Sequence, residues 1–114
     1  MSDDEMPRFS RIGPPDVDSV DFEGRRYAQL DAARHEHLDQ RTGYLAVTDA
    51  ATGRRLAIVK VYPVAFDPEL EADVQDVFFV RLELQATQRR LLVENERGGR
   101  FFIALDDHAV TPAK

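Results

Sequence analysis

The feature that most constrains this chain is a grammar of short apolar runs punctuated by turn residues. Residues 44–48 (YLAVT) and 56–62 (LAIVKVY) flank Asp49-Ala50-Ala51-Thr52-Gly53, where Asp suits the start of a turn and Gly supplies positive φ. The same grammar recurs downstream. Residues 77–84 (VFFVRLEL) lead through 85–88 to 90–94 (RLLVE), and these lead through Glu96-Arg97-Gly98-Gly99 to 101–105 (FFIAL). Upstream, Val20-Asp21-Phe22 and residues 26–30 flank Glu23-Gly24-Arg25, a Gly-containing connection that suits a small hairpin. Strands joined by such short turns make an antiparallel meander.

One stretch interrupts this grammar. Between residues 63 and 76, Asp67 suits an N-cap and Pro68 the first helical position. Glu69 and Glu71 sit at the favourable end of the macrodipole, and Leu70, Val74 and Val77 recur at i, i+4 and i+7. The spacing predicts a short helix of about two turns. The expected fold is therefore mainly β: a single antiparallel meander sheet of about five to seven strands, packed as a sandwich or partly rolled into a barrel, with one short helix. At 114 residues the chain has room for one core. Residues 1–19, rich in Pro and acids, read as a flexible arm, 20–111 as one β-rich domain and 112–114 as a tail.

Alternation assigns Phe78, Val80, Leu82 and Leu84 to one face, with Val77, Phe79, Arg81 and Glu83 on the other. Neighbouring strands are apolar on both faces, as in 56–61, so cover is needed on both sides. A helix, the N-terminal hairpin or a second subunit could supply it.

Residues 46–56 (AVTDAATGRRL) resemble the hairpin in blades of quinoprotein-type β-propellers, whose repeat reads as an apolar strand, Asp-Ala-x-Thr-Gly-Lys, then Leu-Trp. Ala57 stands where that pattern has Trp, and no second Thr-Gly copy follows at blade spacing. A closed propeller needs about four or more blades, far beyond this length. The resemblance implies hairpin geometry, with no cofactor and no dehydrogenase activity.

Charge narrows the function classes. The chain carries 15 basic and 21 acidic side chains for a net −6. Residues 1–57 hold 8 basic against 11 acidic and 58–114 hold 7 against 10, so no basic tail is hidden. Nucleic-acid binding, which draws its non-specific affinity from Lys and Arg on phosphates, is disfavoured. The absence of Cys excludes disulfides, thiolate nucleophiles and Cys-based metal sites. An acidic N-terminus without an apolar stretch reads as a cytoplasmic chain with no membrane span. Thirteen of the fifteen basic residues are Arg, which suggests a GC-rich bacterial genome.

Two clusters carry chemistry. His35 and His37 would project to one side of an extended segment and, with Asp39, could ligate a metal, although two imidazoles do not complete a tetrahedral site. Solvated loop histidines are the plainer reading. Asp67, Glu69, Glu71, Asp73 and Asp76 form an acidic stretch without a base, suited to a basic protein partner or to simple solvation. For catalysis no residue set emerges: the Ser and Thr side chains lack a nucleophile-elbow context, His108 beside Asp106 and Asp107 reads as a turn, and Gly98-Gly99 reads as a hairpin rather than an anion site. The expectation is a non-catalytic intracellular interaction module with an acidic face, no cofactor, a protein partner and a homodimer through the second sheet face. The alternative is a small-ligand or metal-binding domain using His35, His37 and Asp39.

Overall fold

The computed structural model describes residues 17–30, 38–64, 69 and 76–113. Eight strands run along the chain: β1 (Val20–Phe22), β2 (Arg25–Gln29), β3 (Tyr44–Asp49), β4 (Arg55–Lys60), β5 (Phe79–Gln85), β6 (Arg90–Asn95), β7 (Arg100–Ala104) and β8 (Val110–Pro112). They form two four-stranded antiparallel sheets, ordered β1-β2-β3-β4 and β5-β6-β7-β8. The mainly β antiparallel meander is as expected. The single sheet of five to seven strands is not: the chain builds two open meanders, because the connection after β4 carries it to a second sheet instead of the free side of the first. The eighth strand was missed, since Val110-Thr111-Pro112 has only one large apolar residue to mark it. No helix occurs among the described residues. The helix expected from Asp67 to Val77 falls largely on residues outside them.

The turns follow from local chemistry. Glu23 and Gly24 both have positive φ, 52° and 80°, the pattern of a two-residue type I′ turn whose twist matches the strands it joins. In the β3–β4 turn the Asp49 carboxylate accepts from the amides of Ala51 and Thr52, and Gly53 takes φ 79° to close the loop. The β7–β8 turn repeats this ring of backbone bonds, with His108 at φ 63° where Gly53 stands in the first.

Both sheets contribute to one apolar cluster. Tyr27, Leu45, Val47 and Val59 from the first sheet meet Phe79, Leu91, Val93 and Ile103 from the second. Tyr62 in the connection stacks on Phe101 at 5.4 Å between ring centroids. A bulge corrects the facing read from alternation. The register shifts between Phe79 and Arg81, so Val80 is an extra residue opposite β6. Phe79 is fully buried, Leu82 and Leu84 pack against the same core, and Val80 is exposed. A strict period of two cannot place Phe79 and Leu82 on one face; an inserted residue does.

The outer face of the first sheet is covered from within the chain. Tyr44 and Ala46 on β3 are buried under Leu30 and Leu38, which belong to the segment between β2 and β3. The second sheet guards its outer face differently. There the Arg90 guanidinium lies 3.6 Å from the centre of the Phe102 ring, and Arg81 pairs with Glu83 at 2.7 Å.

Side-chain hydrogen bonds from within and outside the connection between the sheets hold its described ends. Gln40 donates to the carbonyls of Thr42 and Tyr62 and accepts from the Val64 amide. The buried Thr42 hydroxyl accepts from the Val77 amide at 3.0 Å, and the Tyr62 hydroxyl donates to the Val77 carbonyl at 2.6 Å. Gln29 accepts from Phe79, and Glu96 from Phe78. Buried backbone groups that no ladder pairs must find such partners.

Candidate functional site

The candidate metal group and the candidate acidic face are only partly within the described residues. His35, His37, Asp67, Glu71 and Asp73 lie outside them. Asp39, the third member of the metal set, is described and engaged. Its carboxylate accepts from the Lys60 ammonium at 2.8 Å and from the Tyr44 hydroxyl. The Lys60 and Tyr44 hydrogen bonds hold its pKa below the usual carboxylate range, while burial and the Asp39 charge push the Tyr44 phenol up. This arrangement fastens the 38–42 bend onto β3 and β4. Among the described residues no group of three His, Asp or Glu is placed to hold a metal ion.

Of the acidic stretch, Glu69 is exposed and Asp76 is not free for a partner's use. Asp76 takes a bidentate pair of hydrogen bonds from Arg41 at 3.0 and 3.1 Å, with its side chain only 8% exposed. Bidentate Arg–carboxylate geometry is the stronger kind of ion pair, and here it ties the start of the second sheet to the loop before β3.

The remaining candidates resolve into structural roles. Asp106 accepts from Arg89, and Asp107 accepts from the Ala109 amide, so neither carboxylate orients His108. The His108 Nε2 is buried without a hydrogen-bond partner. Asn95 Oδ1 accepts from the amides of Arg97 and Gly99, the groups an anion at Gly98-Gly99 would need. Arg89 also grips Glu23 with two bonds of 3.0 Å, so one guanidinium bridges the first sheet's β1–β2 turn and the second sheet's β7–β8 turn.

A surface that residue-by-residue motif reading did not single out emerges on β4. Leu56 and Ile58 are 46% and 37% exposed, two large apolar side chains open to solvent on one edge strand. Ile58 lies directly opposite Ala46 and so continues the small apolar cluster of Leu30, Leu38, Tyr44 and Ala46 to the sheet edge. Lys60 lies opposite Tyr44, and Arg55 opposite Thr48. The outer face of β4 thus reads basic, apolar, basic. Arg54 and Arg55 have no acidic partner among the described residues. The signal lay in the apolar residues on both faces of 56–61, but which face would find cover depended on Leu30 and Leu38.

No protein-family model, no curated protein and no solved structure matches the chain. No helix among the described residues is long and apolar enough to cross a membrane.

Proposed function

We propose that the chain is a protein-interaction module whose contact surface is the outer face of β4. The observation that supports it most directly is the exposure of Leu56 and Ile58 on one edge strand, with Ile58 directly opposite the buried Ala46. Water around such side chains is released when a partner covers them, at roughly 25 cal/mol per Å² of apolar surface removed. The acidic stretch expected to serve as the contact face carries less of the argument, since Asp76 already satisfies Arg41.

Site-specific cross-linking tests the reading. A photo-reactive residue at position 56 should trap an adduct of defined mass in lysate from the source cell, and Ile58→Glu in the same chain should abolish it. A control probe at the exposed position 87, in the β5–β6 turn, should trap none. Equal labelling at 56 and 87, or an adduct indifferent to Ile58→Glu, removes the proposal.

A further inference from the structure

We infer that the free edge of β4 docks an extended, acidic segment of the partner protein by adding it as a fifth strand. This rests on the reading of β4 as the contact face and names what that face takes. Four strands end the two sheets. β1 and β8 are three residues long, and β8 contains Pro112, whose ring removes a ladder donor. β5 packs beside β1 and opens with the bulge at Val80. β4 is six residues long, ends the first sheet, and has no described strand on its other side. An edge of this kind presents unpaired amides and carbonyls to any incoming strand.

The register decides the occupant. The bulge between Val47 and Thr48 stops regular pairing at Leu56, which confines an added strand to 57–60 and sets Arg54 and Arg55 just beyond its end. A second copy pairing antiparallel through β4 would set Ile58 against Ile58 or against Lys60, because only these two residues turn their backbone groups away from β3, and neither register brings an acid to Arg54, Arg55 or Lys60. A strand with acid, apolar and acid residues at alternate positions instead sets its apolar residue beside Ile58, completing the Ile58–Ala46 row, and one acid beside Lys60, while the other acid lies past the bulge within reach of Arg54 and Arg55. Asp39 neutralises Lys60 in the free protein, but the two arginines keep the edge basic within a chain of net −6.

The probe is a blocked nine-residue peptide with a Glu-Thr-Val-Thr-Glu centre, titrated into the full chain and followed by amide chemical shifts and hydrogen exchange. Binding should perturb residues 57–60 and protect above all the amides of Ile58 and Lys60, which point away from β3. Replacing the two Glu by Lys, or the central Val by Pro, should abolish it, and the double variant Arg54→Glu, Arg55→Glu should weaken it about tenfold. The inference falls if the acidic and basic peptides bind alike, if nothing binds at millimolar concentration, or if shifts concentrate elsewhere. It falls too if the 57–60 amides shift with protein concentration alone, which would make a second copy the occupant. Should the cross-link at position 56 persist while the acidic peptide neither binds nor competes, the interaction reading survives and only the acidic strand is lost.

Discussion

At Gly43 and Gly53 the same residue type serves two different physical needs. Gly53 has φ 79° with open space where a Cβ would stand, so its requirement is conformational only. Gly43 has φ 96°, and a Cβ there would lie 2.8 Å from the Tyr62 carbonyl oxygen and 2.7 Å from Gln40 Nε2. Gly53→Ala should therefore cost about 1–2 kcal/mol, the penalty of the left-handed region for an L-residue. Gly43→Ala should cost about 3 kcal/mol or more, because backbone contacts cannot move aside as a side-chain tip can. Urea denaturation midpoints of the two variants check this, and equal losses would show that the crowding around Gly43 relaxes freely. Either glycine could be read from the sequence as a turn residue. That Gly43 also lets two segments approach closely could not, since Tyr62 lies nineteen residues away.

The described ends of the connection after β4, residues 61–64 and 76–78, are held by Gln40, Thr42, Tyr62 and Glu96. Thr42→Val keeps the shape of the side chain and removes the oxygen that accepts from the buried Val77 amide. The expected cost is about 1–3 kcal/mol, the penalty of a buried donor left unmade. Native-state hydrogen exchange should show the Val77 amide losing protection more than those of the β6 core. A uniform loss across the molecule would mean that the connection opens only with global unfolding. Polar residues inside loops gave no warning of this role, because side-chain-to-backbone bonds across 35 positions follow no periodicity.

At the scale of the molecule, charge pairs and buried phenols set opposite limits in pH. Hydrogen bonds from Arg26, Arg89 and Lys60 depress the carboxyls of Asp21, Glu23 and Asp39 in the folded state. A depressed folded pKa contributes stability that is present above the unfolded value, about 4, and lost as pH falls through the folded values. Burial raises both Tyr62 and Tyr44, so these phenols stay protonated in the folded chain. Their contribution is complete below the unfolded value of about 10 and declines as pH climbs above it. Stability against pH should thus be flat between these limits. Arg89→Met should make the acid limb shallower and Tyr62→Phe the alkaline limb. Chemical denaturation across the pH range reads both slopes, and unchanged limbs would show that these groups experience the same environment folded and unfolded.

The sequence by itself determined the β class, the antiparallel meander, the positions of the β3–β4, β6–β7 and β1–β2 turns and the apolar character of the strands. These follow from local chemistry: turn residues with preferred φ, β-branched and aromatic runs, and loops too short for a crossover. The tertiary structure alone decided that there are two sheets and that Val80 inverts the facing of β5. It also decided that Leu30 and Leu38 pack on Tyr44 and Ala46 of β3 while Leu56 and Ile58 of β4 stay exposed. Each depends on contacts between residues far apart in the chain, where register and cover are chosen by what each strand meets across the core. The acids show the same division. Composition gives Asp39 and Asp76 the same negative charge as their neighbours, and only folding sets one against Lys60 and Tyr44 and the other against Arg41. The basic, apolar edge of β4 is likewise a product of folding, since Ile58 and Ala46 become neighbours only across the β3–β4 ladder.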